Sequence, residues 1–501
     1  MALVGVDIGT QGTKAAIYSH DGRLLGQSFE ASQLHRPDPG VVEEDADQQA
    51  LSVCRTIRAC IESSGINAAD IEAVAIDGQM AGVIGVGAGG GAVTPYDSWL
   101  DTRCAPQIQQ MQQKAGGHIT RSTGCAPSFN HGPKILWWKQ ERGEAFDRIV
   151  SFVQPGGYAT MRLCGLSGSE AFIDSTYLHF SGYADNLAAE WSDELCATFD
   201  IPKSKLPRIV EPSAVVGSVG TEASSMSALR QGTPVVAGCG DTAASFLSCG
   251  ATRDGVCVDV AGTASVFAAT TGEFVPDTRS GILGCGRGVV PGLWHPYAYV
   301  NGGGLNIEWL RDLLGEASAD ERAADLARLN ALAAEVVPGL ELPFFVPHFG
   351  GRVMPPLSTI RGAWVGLDWS HGLGVLYRSM LESIALEYAI YQEALLKAYP
   401  GFVGDELRVT GGGENSFIWN AIKASALGLP VVSIQGGGGA PMGSALLAGY
   451  GAGVLPDLSS AVEKWVQTAG RVEPRREDRA YYDARLARYK RVTLAVNDAL
   501  A

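Results

Sequence analysis

Apolar and polar residues alternate in short runs at the start of the chain. Val4 to Ile8, Lys14 to Tyr18 and Leu24 to Phe29 read as three strands of a meander, the last two joined by Asp21-Gly22, a pair suited to a tight hairpin turn. The period then changes. Ala46, Ala50, Val53, Ile57, Cys60 and Ile61 recur at helical spacing within residues 45–65, and Ile71 to Ile76 returns to strand. This mixture predicts a sheet with both antiparallel and crossover connections.

Further along, residues 106–200 read as mainly helical with polar loops, Pro202 to Val219 as an irregular connection, Thr233 to Cys239 as a strand and Asp241 to Gly250 as a helix. Helices are expected at Leu305–Leu314, at 318–336 and at Leu373–Ala398, with an aromatic and proline-containing segment at 343–356. Two strands then run into glycine turns and helices: Leu407–Thr410 into Gly411-Gly412-Gly413 and the helix Ser416–Leu427, and Val431–Ile434 into the glycines 436–439 and the helix Ala440–Tyr450. Strand, glycine turn and helix N-terminus together form an anion-binding geometry, because unpaired N–H groups converge there. The basic, amphipathic segment 474–498 is expected to be a surface helix packing across the domains.

One pattern occurs twice. Leu3-Val4-Gly5-Val6-Asp7-Ile8-Gly9-Thr10 and Val256-Cys257-Val258-Asp259-Val260-Ala261-Gly262-Thr263 each place an apolar strand, an Asp and a Gly-Thr turn before a second strand. Such self-similarity marks a duplicated domain. Glycine lets the backbone point several N–H groups into one concavity, so two facing turns would clamp a polyphosphate. A length of 501 residues calls for two large domains. The boundary is placed where the repeat restarts, giving 1–245, 246–475 and a terminal helix at 476–501.

The formal net charge of −15 excludes non-specific attraction to nucleic acid or an anionic membrane. The ten cysteines form no Cys-x-x-Cys pair and read as small buried apolar residues of a reducing compartment. Asp7 breaks the apolar run next to Met1, and no apolar run is long enough to span a bilayer, so a cytoplasmic location is expected. Gly85, Gly87 and Gly90 match a Gly-x-Gly-x-x-Gly pattern, but Val93-Thr94-Pro95 cannot open a helix, so the glycines are expected to turn a hairpin. No P-loop sequence occurs.

In order along the chain, Gly5-Val6-Asp7-Ile8-Gly9-Thr10-Gln11-Gly12-Thr13-Lys14, Gly78-Gln79-Met80-Ala81-Gly82, Ser98-Trp99-Leu100-Asp101-Thr102-Arg103, Gly238-Cys239-Gly240-Asp241-Thr242, Gly362-Ala363-Trp364-Val365-Gly366-Leu367 and Thr410-Gly411-Gly412-Gly413-Glu414-Asn415 resemble the FGGY-family carbohydrate kinases, and among them most the xylulokinases. The resemblance runs nearly end to end. It implies an α/β fold of two related actin-like ATPase (ribonuclease H-like) domains flanking a nucleotide cleft, and phosphorylation of a ketopentose such as D-xylulose by ATP with Mg²⁺. A homodimer is compatible with it. His131 and Val375 depart from the family pattern without touching the chemistry.

Residue by residue, the resemblance makes Asp241 the general base, against the plain alternative of a helix N-cap. Asp7 is implied to serve Mg²⁺ through water. Gly9, Thr10, Gly12 and Thr13 would cradle the phosphates from one side, and Gly262 and Thr263 from the other. Lys14 either reaches a phosphate or is a solvated strand residue. Gly411, Gly412 and Asn415 would hold the nucleoside, and Gln79, Met80, Trp99, Asp101 and Asp241 the sugar. Asp259, which repeats Asp7, is left structural. Ala81 stands where similar xylulokinases commonly carry a His that reaches the ketose, which leaves the exact sugar open. Alternatives are a kinase of another polyol, ketose or sugar acid, an actin- or chaperone-like ATPase, or a sugar-binding module.

Overall fold

The computed structural model describes every residue except 316–318, 358 and 436–437; of residues 319–324 only the backbone is described. Residue 318 of the expected helix and two of the glycines 436–439 therefore lie outside the described residues.

The first sheet contains β1 (Ala2–Gly9), β2 (Gly12–Ser19), β3 (Leu24–Ala31), β4 (Ile71–Gly78), β5 (Val215–Ser218) and β6 (Pro234–Val236), in the spatial order β5-β6-β4-β1-β2-β3. The second contains β7 (Val256–Ala261), β8 (Ser265–Ala269), β9 (Gly284–Arg287), β10 (Trp294–Val300), β11 (Glu406–Thr410), β12 (Val431–Ile434) and β13 (Thr468–Val472), in the order β9-β10-β8-β7-β11-β12-β13. The two orders correspond strand for strand. β1 pairs antiparallel with β2 and parallel with β4, as β7 does with β8 and β11. Only β9 has no counterpart. The structure departs from the sequence reading in two segments: β5 falls inside the supposedly irregular stretch 202–219, and the helical reading of 106–200 misses short strands such as Ser151–Val153 and Phe172–Asp174. These strands are too short for periodicity to register.

Helix α1 (Ala46–Ser64) starts at Asp45, whose side chain accepts from the Gln48 N–H, and stops at Gly65 in the left-handed conformation. With α2 (Pro155–Cys164) it covers one face of the first sheet, burying Val4, Ile17, Val53, Ile57, Val74 and Tyr158. The other face is covered by α3 (Asp241–Ser248), α4 (Gly439–Gly451) and α5 (Leu458–Trp465), around Leu3, Ala75, Leu247, Leu446 and Trp465. α4 and α5 are written in the second half of the chain, so the first sheet is closed by residues from beyond 438. Contact is close, since a Cβ on Gly5 would lie 1.8 Å from the Pro441 carbonyl oxygen.

The long helix over Leu373–Ala398 carries the core of the second domain. The terminal helix, Arg479–Leu500, packs on it, on Phe417–Leu427 and on the strand Phe344–Val346. Arg485 donates to the Pro343 carbonyl at 2.9 Å and pairs with Glu382. The helix thus belongs to the second domain instead of spanning both, because its polar anchors all lie there. The glycines at 85–90 do form a hairpin: the Gly87 N–H bonds the Gly91 carbonyl at 2.9 Å and Gly90 takes φ +80°. All ten cysteines are free, and only Cys164 is not fully buried. Among the described residues no helix is long and apolar enough to cross a membrane.

Candidate active site

The Gly-Thr turn of the first sheet is a two-residue hairpin closed by Gly9 and Gly12. Its Thr10 hydroxyl is committed: it accepts from Trp99 Nε1 at 2.8 Å and donates to Gln79 Oε1 at 3.4 Å. Gln79 in turn donates from Nε2 to Glu44 at 3.0 Å. Backbone N–H groups, not this hydroxyl, remain for an anion. Thr13 points the other way, its hydroxyl 2.6 Å from that of Ser52 on α1.

Asp241 is the first residue of α3, with Gly240 as the N-cap. The N-cap alternative therefore falls on its neighbour. Asp241 Oδ1 accepts from the Thr242 N–H at 2.6 Å and the Thr242 hydroxyl at 3.1 Å, which fixes the carboxylate and leaves Oδ2 without a hydrogen bond. Burial, and then the charge of Asp7, push its pKa up to about 7. Gly240 makes room for the Met80 side chain rather than for substrate, since a Cβ there would come within 2.6 Å of Met80 Cε.

Asp7 faces Asp77 across the parallel β1–β4 pair. Each keeps a buried Oδ1 without a partner, and Asp77 accepts from Ser444 on α4. Burial raises both; Asp7 reaches about 6, held back by Asp77 and by Lys14, its cross-strand neighbour on β2. Sequence reasoning missed Asp77, although Ile76-Asp77-Gly78, like Asp7-Ile8-Gly9, closes an apolar strand with an Asp and a Gly. Among the described residues no group of three His, Cys, Asp or Glu side chains could hold a metal ion on its own.

A cavity of about 230 Å³ lies between the halves. Thr10, Met80, Ala81, Trp99 and Asp241 line it from the first, Ala264, Val266 and Tyr297 from the second. Two of the residues expected at the sugar are not in this wall. Asp101 is buried with both oxygens engaged, Oδ2 by the Val42 N–H at 2.8 Å and by Arg103, Oδ1 by the Arg103 N–H at 3.0 Å, so it pins the loop bearing Trp99. Gln79 stands behind the wall and orients Thr10. In place of a His at 81, His179 and His295 line the cavity, both kept neutral by burial, which lowers them to about 3 and about 4. His131 is buried behind Met80 and bonds its carbonyl.

On the second sheet, the Gly262–Thr263 turn is braced by the helix Gly303–Leu314, whose Gly304 and Leu305 N–H groups bond the carbonyls of Gly262 and Thr263 at 3.0 and 3.1 Å. β11 ends beside it. Gly411, at φ +90°, would bring a Cβ within 2.8 Å of the Ala261 carbonyl oxygen, so only glycine fits; Gly412 and Asn415 are exposed there. Asp259 is sealed away: Lys423 pairs with Oδ2 and the Tyr388 hydroxyl donates to Oδ1 at 2.6 Å.

Comparison with known proteins gives two domain matches: FGGY family of carbohydrate kinases, N-terminal domain, over residues 2–248, and its C-terminal domain over 257–452. The chain is 23% identical to a xylulose kinase of Bacillus subtilis, over 99% of this chain and 97% of that one. It is 28% identical to a glycerol kinase of Bordetella parapertussis, covering 92% and 91%. The crystal structure of a xyloylose kinase from Brucella ovis superimposes with a TM-score of 0.89 at 25% identity, covering all of both chains.

Proposed function

The chain belongs to the FGGY family of carbohydrate kinases, an ATP-dependent phosphotransferase with that family's two-domain, actin-like ATPase fold, and we propose that it phosphorylates a hydroxyl of a small sugar of ketopentose size, with Asp241 as the general base. The observation that carries this reading is the placement of Asp241 in a cavity shared by both halves, one oxygen fixed by Thr242 and the other free. D-xylulose is the neutral candidate, since xylulose kinases are among the relatives; glycerol kinases are too, so relatedness alone leaves the sugar open.

In this reading the acceptor hydroxyl rests against Asp241 Oδ2 and gives up its proton as its oxygen attacks the terminal phosphorus in line. A carboxylate poised near neutral pH can do so without being a strong base in the free enzyme. Trp99 closes one wall, and its hold on Thr10 keeps the Gly9–Gly12 turn in position. Phosphate is approached by that turn's backbone from one side and by Gly262 and Thr263 from the other, while Gly411, Gly412 and Asn415 border the nucleoside. The facing carboxylates of Asp7 and Asp77, each with a buried Oδ1, suit a divalent cation; Mg²⁺, carried by phosphate and water with Asp7 as its carboxylate, would supply charge neutralisation. Lys14 would add positive charge near Asp7.

The test is ADP release measured with and without a panel of pentuloses, tetritols, hexuloses and sugar acids. Release that depends on one of them supports the reading. Sugar-independent hydrolysis would instead place the chain with ATPases that couple hydrolysis to conformational change.

A further inference from the structure

Asp241 lies beyond the end of its strand. β6 stops at Val236, and residues 237–240 lead on to α3, joined to the first sheet there by an isolated bridge between Gly78 and Gly240. A side chain from another part of the chain holds Gly240, the residue before the base: the Gly240 N–H donates to the Thr176 hydroxyl at 3.0 Å. That hydroxyl in turn donates to Asp174 Oδ1 at 2.5 Å. Asp174 and Thr176 are both almost wholly buried, and Thr176 borders the cavity that Asp241 enters. By contrast, the hydrogen bonds to the Asp241 carboxylate come from Thr242, its neighbour, which moves with it. The depth at which the carboxylate stands in the cavity is therefore set by what holds Gly240.

Asp174 also caps the short helix Ser175–Phe180, its Oδ1 accepting from the Thr176 N–H at 2.9 Å. A cap needs no more than that. The second bond of the same oxygen draws the Thr176 proton to the carboxylate and so leaves the hydroxyl lone pairs for a donor, which the Gly240 N–H supplies. The chain Gly240, Thr176, Asp174 is thus fixed in direction as well as in place. The next residue reinforces it: the Tyr177 hydroxyl donates to the Gly78 carbonyl at 2.9 Å and lies 3.3 Å from the Cys239 carbonyl, which ties the segment before Met80 to the segment before Asp241.

We propose that Asp174 and Thr176 are positioning residues for the phosphoryl transfer: through the Gly240 N–H they hold the Asp241 carboxylate where its free oxygen meets the acceptor hydroxyl. The proposal rests on the kinase reading, with Asp241 as base, and deepens it. A misplacement of about 1 Å at a reacting group costs on the order of a hundredfold in rate, so a hydroxyl that touches neither sugar nor nucleotide can govern turnover.

The experiment measures kcat and KM by coupled ADP release in the intact protein, with ATP and the sugar of the panel above that turns over fastest, and the folded fraction of each variant by circular dichroism. Thr176→Val removes the hydroxyl and keeps the shape; kcat should fall about 10–100-fold while the KM for ATP stays within about twofold. Thr176→Ser restores the hydroxyl and should stay within about threefold of the wild type. In an Asp241→Asn background, Thr176→Val should cost less than about threefold more, because residues that act as a unit do not add. Should Thr176→Val fail to fold, Asp174→Asn takes its place: it withdraws the charge but leaves an oxygen for the Thr176 N–H, and kcat should fall by about tenfold. Near-normal kcat in the folded variant, Thr176→Ser as slow as Thr176→Val, the full loss repeated in the Asp241→Asn background, or a loss that only matches the fall in folded fraction overturns the proposal and leaves Asp174 as a helix cap. Absence of sugar-dependent ADP release from the wild type overturns the kinase reading itself, and is thereby distinguishable.

Discussion

Asp7 and Asp259 stand at the same position of the duplicated sheet, but Lys423 neutralises Asp259 whereas Asp7 faces a second carboxylate, Asp77. At Asp259 the neighbour across the parallel pair is Val409. One copy is thus a closed ion pair that holds the core together, and the other keeps charge unsatisfied. Duplication supplied two identical scaffolds, and the side chains arriving from other elements decided which became a site.

Breaking the closed copy should cost far more than breaking the open one. Lys423→Met leaves Asp259 buried without its counter-ion and should destabilise the protein by about 3–5 kcal/mol, read from urea unfolding. Asp7→Asn should do the reverse. Because the folded pKa of Asp7 is raised to about 6 from 3.8, its charge penalises the fold increasingly as pH rises through that window. The variant should gain about 1–2 kcal/mol at neutral pH and nothing at about pH 4.

Asp241→Asn keeps the shape but cannot accept a proton, so kcat should fall on the order of 10²–10⁴-fold with nucleotide affinity little changed. Near-normal turnover would remove Asp241 from the mechanism. In the wild type, kcat/KM for the sugar should climb with pH up to about 7 and level off above it, since only the ionised carboxylate is a base. A pH–rate profile flat from pH 5 to 8 would rule out a base with that pKa.

D-xylulose should be accepted with a high KM, because Ala81 offers it no hydrogen bond. Ala81→His restores a donor worth roughly 1–3 kcal/mol if the ketose oxygen is otherwise dry, and should raise kcat/KM for D-xylulose relative to other ketoses and polyols. Loss of D-xylulose turnover in this variant would mean that His179 or His295 already fills that space.

The seam between α4 and the first sheet tolerates no added atom at Gly5. Gly5→Ala should force α4 off β1 and cost about 1–3 kcal/mol, with a drop in melting temperature and a loss of activity that follows it. An unchanged melting temperature would show that the seam can shift.

Much of this molecule could be read from its residues taken in order. The repeated Asp and Gly-Thr turns and the helix at 373–398 are local patterns, and local patterns survive without knowledge of the fold. Other features depend on contacts between distant segments. Nothing near Asp101 announces that Val42 and Arg103 will bond its oxygens, and nothing near Arg287, His179 or Tyr297 announces that they will line one cavity with Asp241. The placement of α4 and α5 on the first sheet is of the same kind: their sequences say apolar helix, but not against what.

That placement sets an order on synthesis. While a ribosome is still making residues 250–438, β1, β4 and β6 already exist as a chain, yet the face bearing Leu3, Ala73, Ala75 and Val236 has only α3 to cover it. The remaining cover, Ala445, Leu446, Leu447 and Trp465, emerges near the end of translation. The first domain to be synthesised is therefore among the last to be completed, and its nascent form presents a partly covered apolar sheet while residues 250–438 are made, a surface on which holding chaperones would act.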